Sequence, residues 1–130
     1  VLPGWNTINQ NNKTTDGDGH GTHVSGTIAQ QTNDNTGVAG LAHGACILPI
    51  KVLDDSGAGT DADIADGIAK AIELGARVIN MSLGGPGSSS FEQAGFKEIF
   101  DSGVGKSSRS EEFRRKKRIS MGNFINLFHL

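Results

Sequence analysis

At 130 residues and 13.6 kDa the chain is the size of one ordinary domain. Hydrophobic residues make up 35% and 19 glycines add to them, a globular balance that argues against wholesale disorder; glycine follows no G-X-Y period, which excludes collagen, and no apolar run approaches about 18 residues, which excludes a helical membrane span. The net charge of −2 hides a division: residues 1–95 carry four basic against ten acidic side chains, residues 96–130 eight against four. One cysteine, Cys46, leaves no internal disulfide to staple the fold. The sequence opens at Val1 without a charged start and apolar stretch, so no signal peptide is expected within it; a removed leader or a longer product is expected instead.

In chain order, the polar residues 5–19 read as a loop and residues 20–31 as a helix entered through a glycine-rich turn. Residues 30–37 return to loop. The run 46–53 (CILPIKVL) has the continuous apolar character of a buried strand, although Pro49 cannot donate to a ladder and counts against a central position. A polar, glycine-containing link then leads to residues 61–74, where Ile64, Ile68, Ala71 and Ile72 recur at helical spacing. Thr60 or Asp61 can cap that helix and Gly75 can take its left-handed exit. Residues 77–82 (RVINMS) form a second strand, completing a βαβ unit. Residues 91–103 read as a further helix. Seven of the twelve basic residues follow between Lys106 and Arg118, and residues 119–130 are expected to form a short helix.

The chemistry concentrates in residues 16–29 (DGDGHGTHVSGTIA). Two histidines three apart could share a helix face and bind zinc, but there is no H-E-x-x-H and no third ligand. An EF-hand loop counted from Asp16 would require Glu at its twelfth position, where Thr27 stands. A phosphate-cradling G-x-G-x-x-G should follow a strand, which this stretch does not. A plain helix cap with two ordinary histidines remains the bland alternative.

The wider pattern resembles the subtilisin-like serine peptidases, the subtilases, and within them the thermitase-like branch. The resemblance rests on five blocks in family order over residues 4–90: His20–Ala29 (HGTHVSGTIA), Gly37–Gly40 (GVAG), Ile50–Asp54 (IKVLD), Asp66–Ile68 (DGI) and Val78–Gly85 (VINMSLGG). It implies a partial subtilisin-like three-layer α/β fold, with a mainly parallel sheet flanked by helices. Residues 1–95 would be part of a catalytic domain, and residues 96–130 a divergent, poorly ordered basic tail. The implied activity is hydrolysis of peptide bonds in peptide or protein substrates, in a secreted or extracellular setting, with no organic cofactor.

Residue by residue, the resemblance gives His20 the role of general base, for which an imidazole titrating near neutrality is suited. His23 matches the family's buried second histidine, a structural role. Gly57, Ala58 and Gly59, and Ser82, Leu83, Gly84 and Gly85, match the two edges that hold an extended substrate like an added strand. Gln31, Asp34, Thr36 and Val38 match a calcium loop, incomplete because its other carboxylates come from upstream in the family; calcium is therefore expected to bind weakly at most. A second calcium loop would draw acidic residues from 6–15, where Asn6, Asn9 and Asn11 stand instead. The sequence holds no D-T-G or D-S-G ahead of His20, no A-A-G-N and no G-T-S-M-A, so one triad member of three is expected and the chain alone is expected to be inactive. The rival from another class is a non-catalytic module whose basic run binds nucleic acid or acidic surfaces; a solvated segment is the preferred reading of that run.

Overall fold

A computed structural model of the chain describes residues 1–84, 90–103, 105–108 and 124–129. Among the described residues five strands form one sheet: β1 (Trp5–Asn6), β2 (Ile47–Leu53), β3 (Val78–Met81), β4 (Gly105–Ser108) and β5 (Phe124–His129). Their order is β1-β2-β5-β3-β4, and every neighbouring pair is parallel. Three helices accompany them: α1 (His20–Ala29), α2 (Asp61–Glu73) and α3 (Ser90–Ser102). The chain therefore has the α/β fold expected, a parallel sheet with helices.

The local reasons are legible element by element. Helix α2 starts at a capping box: Asp63 N–H donates to Thr60 Oγ1 at 3.2 Å, and Thr60 N–H returns a bond to Asp63 Oδ2 at 3.1 Å. It ends at Gly75, whose φ of 84° would strain any side chain. Its buried face, Ile64, Ile68 and Ala71, packs on a core of Leu48, Ile50, Val52, Ile79 and Met81 from the sheet and Ile99 from α3. Gly95 of α3 allows close approach to α2, because a Cβ there would lie 2.8 Å from Ile68 Cδ1. On the flank, Lys70 Nζ of α2 stands 4.8 Å from the centre of the Trp5 ring.

Pro49 sits inside a central strand, against the sequence rule, and alternation explains why. The carbonyls of Ile47 and Lys51 accept from Leu2 N–H and Thr7 N–H at 2.7 and 3.0 Å, so odd-numbered residues of β2 face the β1 flank. Pro49 shares that direction, and its missing donor falls beside the short edge strand. The ladder to β5 is untouched.

Three expectations are corrected. Residues 5–19 are not loop throughout, since Trp5 and Asn6 pair in register with Ile50 and Lys51. An extended strand, not a helix, occupies Phe124–His129; six mostly apolar residues are too short for a stable helix but suit a strand paired on both sides. Residues 105–108, within the polar stretch after α3, also form a strand, β4, paired with β3 at the edge of the sheet. The sheet thus draws on both sides of residue 95. Most of the basic run, residues 109–118, lies outside the described residues.

Candidate active site

His20 is the first residue of α1, half-buried, with Nδ1 enclosed by protein. The helix cannot be capped by its own N-cap residue, because that residue is Gly19, in the left-handed region at φ 94°. Asp16 does the work from three residues upstream. Its Oδ1 accepts from Gly19 N–H at 2.7 Å and Asp18 N–H at 3.2 Å, and its Oδ2 from Thr22 N–H at 2.8 Å and from the Thr22 hydroxyl. Asp18 Oδ2 accepts from His20 N–H at 3.2 Å. Two carboxylates thus compensate the free amides and positive end of the helix that carries His20. Burial raises the Asp16 carboxyl, but the Thr22 hydroxyl and the amides of Gly19, Thr22 and Asp18 outweigh it and hold the group below its ordinary value.

All strands being parallel, β2 and β3 end at the same edge of the sheet, the edge where open α/β folds bind ligands. From β2 the chain enters a turn, residues 54–59, organised by Asp54. Its Oδ1 accepts from the Ser56 hydroxyl at 2.7 Å and from Ser56 and Ala58 N–H, each at 2.9 Å. Asp54 N–H donates to the Ala58 carbonyl at 2.7 Å. The Ser56 hydroxyl first, then the Ala58 and Ser56 amides, hold the Asp54 carboxyl below the usual range, with the nearby Lys51 charge adding to them. Gly57 takes φ 84°, and Gly59 packs so closely that a Cβ would strike the Val52 carbonyl and approach Leu53 Cδ2 to 2.6 Å. Ala58 and Gly59 are exposed.

From β3 the chain passes to Ser82 and Leu83, both half-buried, and to exposed Gly84. Leu83 packs on the core and the Ser82 hydroxyl lies 3.0 Å from Asn80 Nδ2. Gly85 lies outside the described residues.

The approach to His20 reaches this same edge. Gly17 lies against Asp55, where a Cβ would come within 2.6 Å of Oδ2, and Asp55 in turn holds the buried Lys51 ammonium at 2.8 Å. Asp54 and Asp55 were not among the candidate residues; the D-D-S-G turn composition is the signal that could have singled them out.

Other predicted residues fall elsewhere. His23 is exposed, which corrects the buried structural role implied by the resemblance: at helical spacing it lies on the side of α1 opposite Gly21, Ser25 and Ile28, the residues that face the protein. Gln31, Asp34, Thr36 and Val38 all lie in an exposed loop with Asn33 and Asn35 at positive φ. There the Asp34 carboxylate accepts from Thr36 N–H at 3.0 Å, and the Thr36 carbonyl accepts from Gln30 Nε2 at 3.3 Å. Among the described residues no three His, Cys, Asp or Glu side chains converge as a metal site. One carboxylate with a carbonyl already engaged falls short of the six to eight oxygens calcium takes, so these residues do not fit a tight site as they stand.

A histidine-headed helix and two glycine-bearing segments thus meet the carboxyl edge of a parallel α/β sheet. The family model of the subtilases matches residues 1–123, and the chain belongs to the subtilase family. It is 46% identical over 95 residues to thermitase of Thermoactinomyces vulgaris, covering 72% of this chain and 34% of the relative. Subtilisin DY of Bacillus licheniformis is 48% identical over 95 residues, with the same 72% and 34% coverage. The cell wall-associated protease of Bacillus subtilis (strain 168) is 49% identical over 82 residues, 63% of this chain and 9% of the relative. The chain thus spans about a third or less of the length of these relatives. Among the described residues no helix is long and apolar enough to cross a membrane.

Proposed function

We propose that this chain carries the general-base portion of a subtilase endopeptidase domain, and that these 130 residues alone do not hydrolyse peptide bonds. The observation that carries the reading is the placement of His20 at the head of α1, with its approach packed against the turn that follows β2. In the chemistry proposed, His20 takes the proton of a serine hydroxyl as that oxygen attacks the scissile carbonyl, then returns it to the leaving amine. Residues 57–59 and 82–85 flank an extended peptide substrate, supplying backbone hydrogen bonds and small side chains that keep the groove open. No G-T-S-M-A block and no early D-T-G occur in the sequence, so the nucleophile and the acid that would orient His20 are wanting. Without the attacking serine the acyl-enzyme cannot form.

An extracellular setting is part of the proposal, supported by the cell wall-associated relative. Calcium is proposed as a weak ligand of the 31–38 loop at most. The test is hydrolysis of a peptide library by the purified chain, with His20→Ala beside it. The expected result is no turnover by either protein. Turnover abolished both by His20→Ala and by a serine-directed fluorophosphonate would overturn the claim of inactivity.

A further inference from the structure

The connection from β1 to α1, residues 7–19, is the segment that delivers His20, and Lys51 meets it at both ends. At its start, buried Thr7 donates twice to the Lys51 carbonyl, from its N–H at 3.0 Å and its hydroxyl at 3.1 Å. Near its end, Gly17 lies against Asp55, whose Oδ1 accepts from Lys51 Nζ at 2.8 Å. The carboxylates of Asp16 and Asp18 act differently. They bind amides within residues 18–22, so they shape the start of α1 without tying it to β2.

Gly17 shows how tight the second contact is. Its φ is not positive, unlike the 94° of Gly19, so its backbone conformation does not require glycine. Space does. A Cβ there would stand 2.4 Å from Asp55 Cγ and 2.6 and 2.8 Å from the two carboxylate oxygens, whereas a Cβ on Gly19 would meet nothing within 4 Å among the described residues. An aspartate side chain ordinarily yields to such a neighbour by rotating into solvent. Asp55 cannot do so freely, because turning away would break the ion pair of a buried ammonium, a far larger loss than that of an exposed pair.

We infer that Lys51 is a positioning residue for His20: its ammonium fixes Asp55 as a wall for Gly17, its carbonyl holds Thr7, and the connection between them brings the imidazole to one place. The inference rests on the reading of His20 as general base and adds the group that ties its approach to the sheet. Lys51 touches no reacting atom in this scheme. It acts through Asp55, three residues of backbone away from the histidine that Gly17 precedes.

The experiment compares the full chain with Gly17→Ala, Lys51→Met and the double variant. Methionine keeps most of the buried side chain's bulk and removes the charge. With Lys51 present, Gly17→Ala should lower the folded-to-unfolded ratio about 5- to 30-fold, because the added methyl meets an anchored carboxylate. With Lys51→Met, Asp55 is released to solvent, and the same substitution should cost less than about twofold. The second readout is the His20 imidazole Cε1–H resonance of the folded chain, which a change in stability alone does not move. It should shift in Lys51→Met and in Asp55→Ala, while that of His43, in the exposed turn before β2, stays in place. Two results would each overturn the inference: effects of Gly17→Ala and Lys51→Met that multiply to within about twofold, or a His20 resonance unmoved by loss of the ion pair. If Lys51→Met does not stay folded, Asp55→Ala replaces it in both readouts, with the same expected and overturning results. Both readouts are taken without substrate, so their failure leaves the general-base reading standing, and failure of that reading leaves the placement of His20 intact.

Discussion

Asp16 shows how much a single carboxylate can organise. It caps α1 from outside the helix, because Gly19 in the N-cap position has no side chain to offer and its φ of 94° suits little else. Asp16→Ala should cost about 1 kcal/mol, the usual value of a lost helix cap. The pH dependence follows from the lowered carboxyl. A group whose folded value lies below its unfolded one stabilises the fold above the unfolded value, and that contribution disappears as pH falls through the folded value. The gap in melting temperature between parent and Asp16→Ala should therefore be full at pH 6 and shrink below about pH 4, where the unfolded carboxyl also becomes protonated. Thermal melts across that range check it; a gap that widens in acid would be the wrong sign.

The turn between β2 and α2 shows two glycines of the same proposed groove under different constraints. Gly59 is held against the Val52 carbonyl, a backbone atom that cannot rotate away, whereas a Cβ on Gly84 would meet nothing within 4 Å among the described residues. Gly59→Ala should destabilise the chain by about 1–3 kcal/mol through overpacking. Gly84→Ala should stay within about 0.5 kcal/mol, as surface substitutions do. Urea denaturation of the two variants separates these outcomes. Equal effects would mean that Gly59 is in the sequence for the groove and not for packing. The same element carries its own support, since Asp54 gathers three hydrogen-bond donors and Thr60 and Asp63 close the capping box where α2 begins.

At the scale of the molecule, the five-stranded sheet has its vulnerable edges at β1 and β4. β1 is two residues long and β4 four, and short edge strands discourage further pairing. The interior edges, which the first three strands alone would leave open, are closed by β5. Calcium should add little to this arrangement. With Asp34 the one carboxylate of the 31–38 loop and the Thr36 carbonyl bonded to Gln30, a millimolar calcium concentration should raise stability by less than about 0.5 kcal/mol, as expected when the ligand is no more concentrated than its dissociation constant. Melting with calcium and with a chelator measures this. A rise of many degrees would show that the loop rearranges into a tight site.

The elements that follow from local rules were plain in the sequence. α2 announces itself by the spacing of Ile64, Ile68 and Ala71, by Thr60 before it and by Gly75 after it; β2 and β3 are short apolar runs on either side of it. His20 and the two glycine segments stand out as blocks, because their chemistry needs those residue types in that order. Four features were decided only by tertiary structure. Trp5–Asn6 is a strand because Ile50 and Lys51 lie beside it, and Pro49 is harmless because its missing donor faces that short edge. His23 is exposed because the face of α1 that packs inward passes it by. Phe124–His129 has no periodicity that separates strand from helix; it is a strand because the gap between β2 and β3 offers two rows of backbone partners that a helix could not satisfy. Periodicity and caps depend on neighbours in the chain, whereas sheet position depends on which distant backbone edge is left unpaired, and only the folded arrangement determines that.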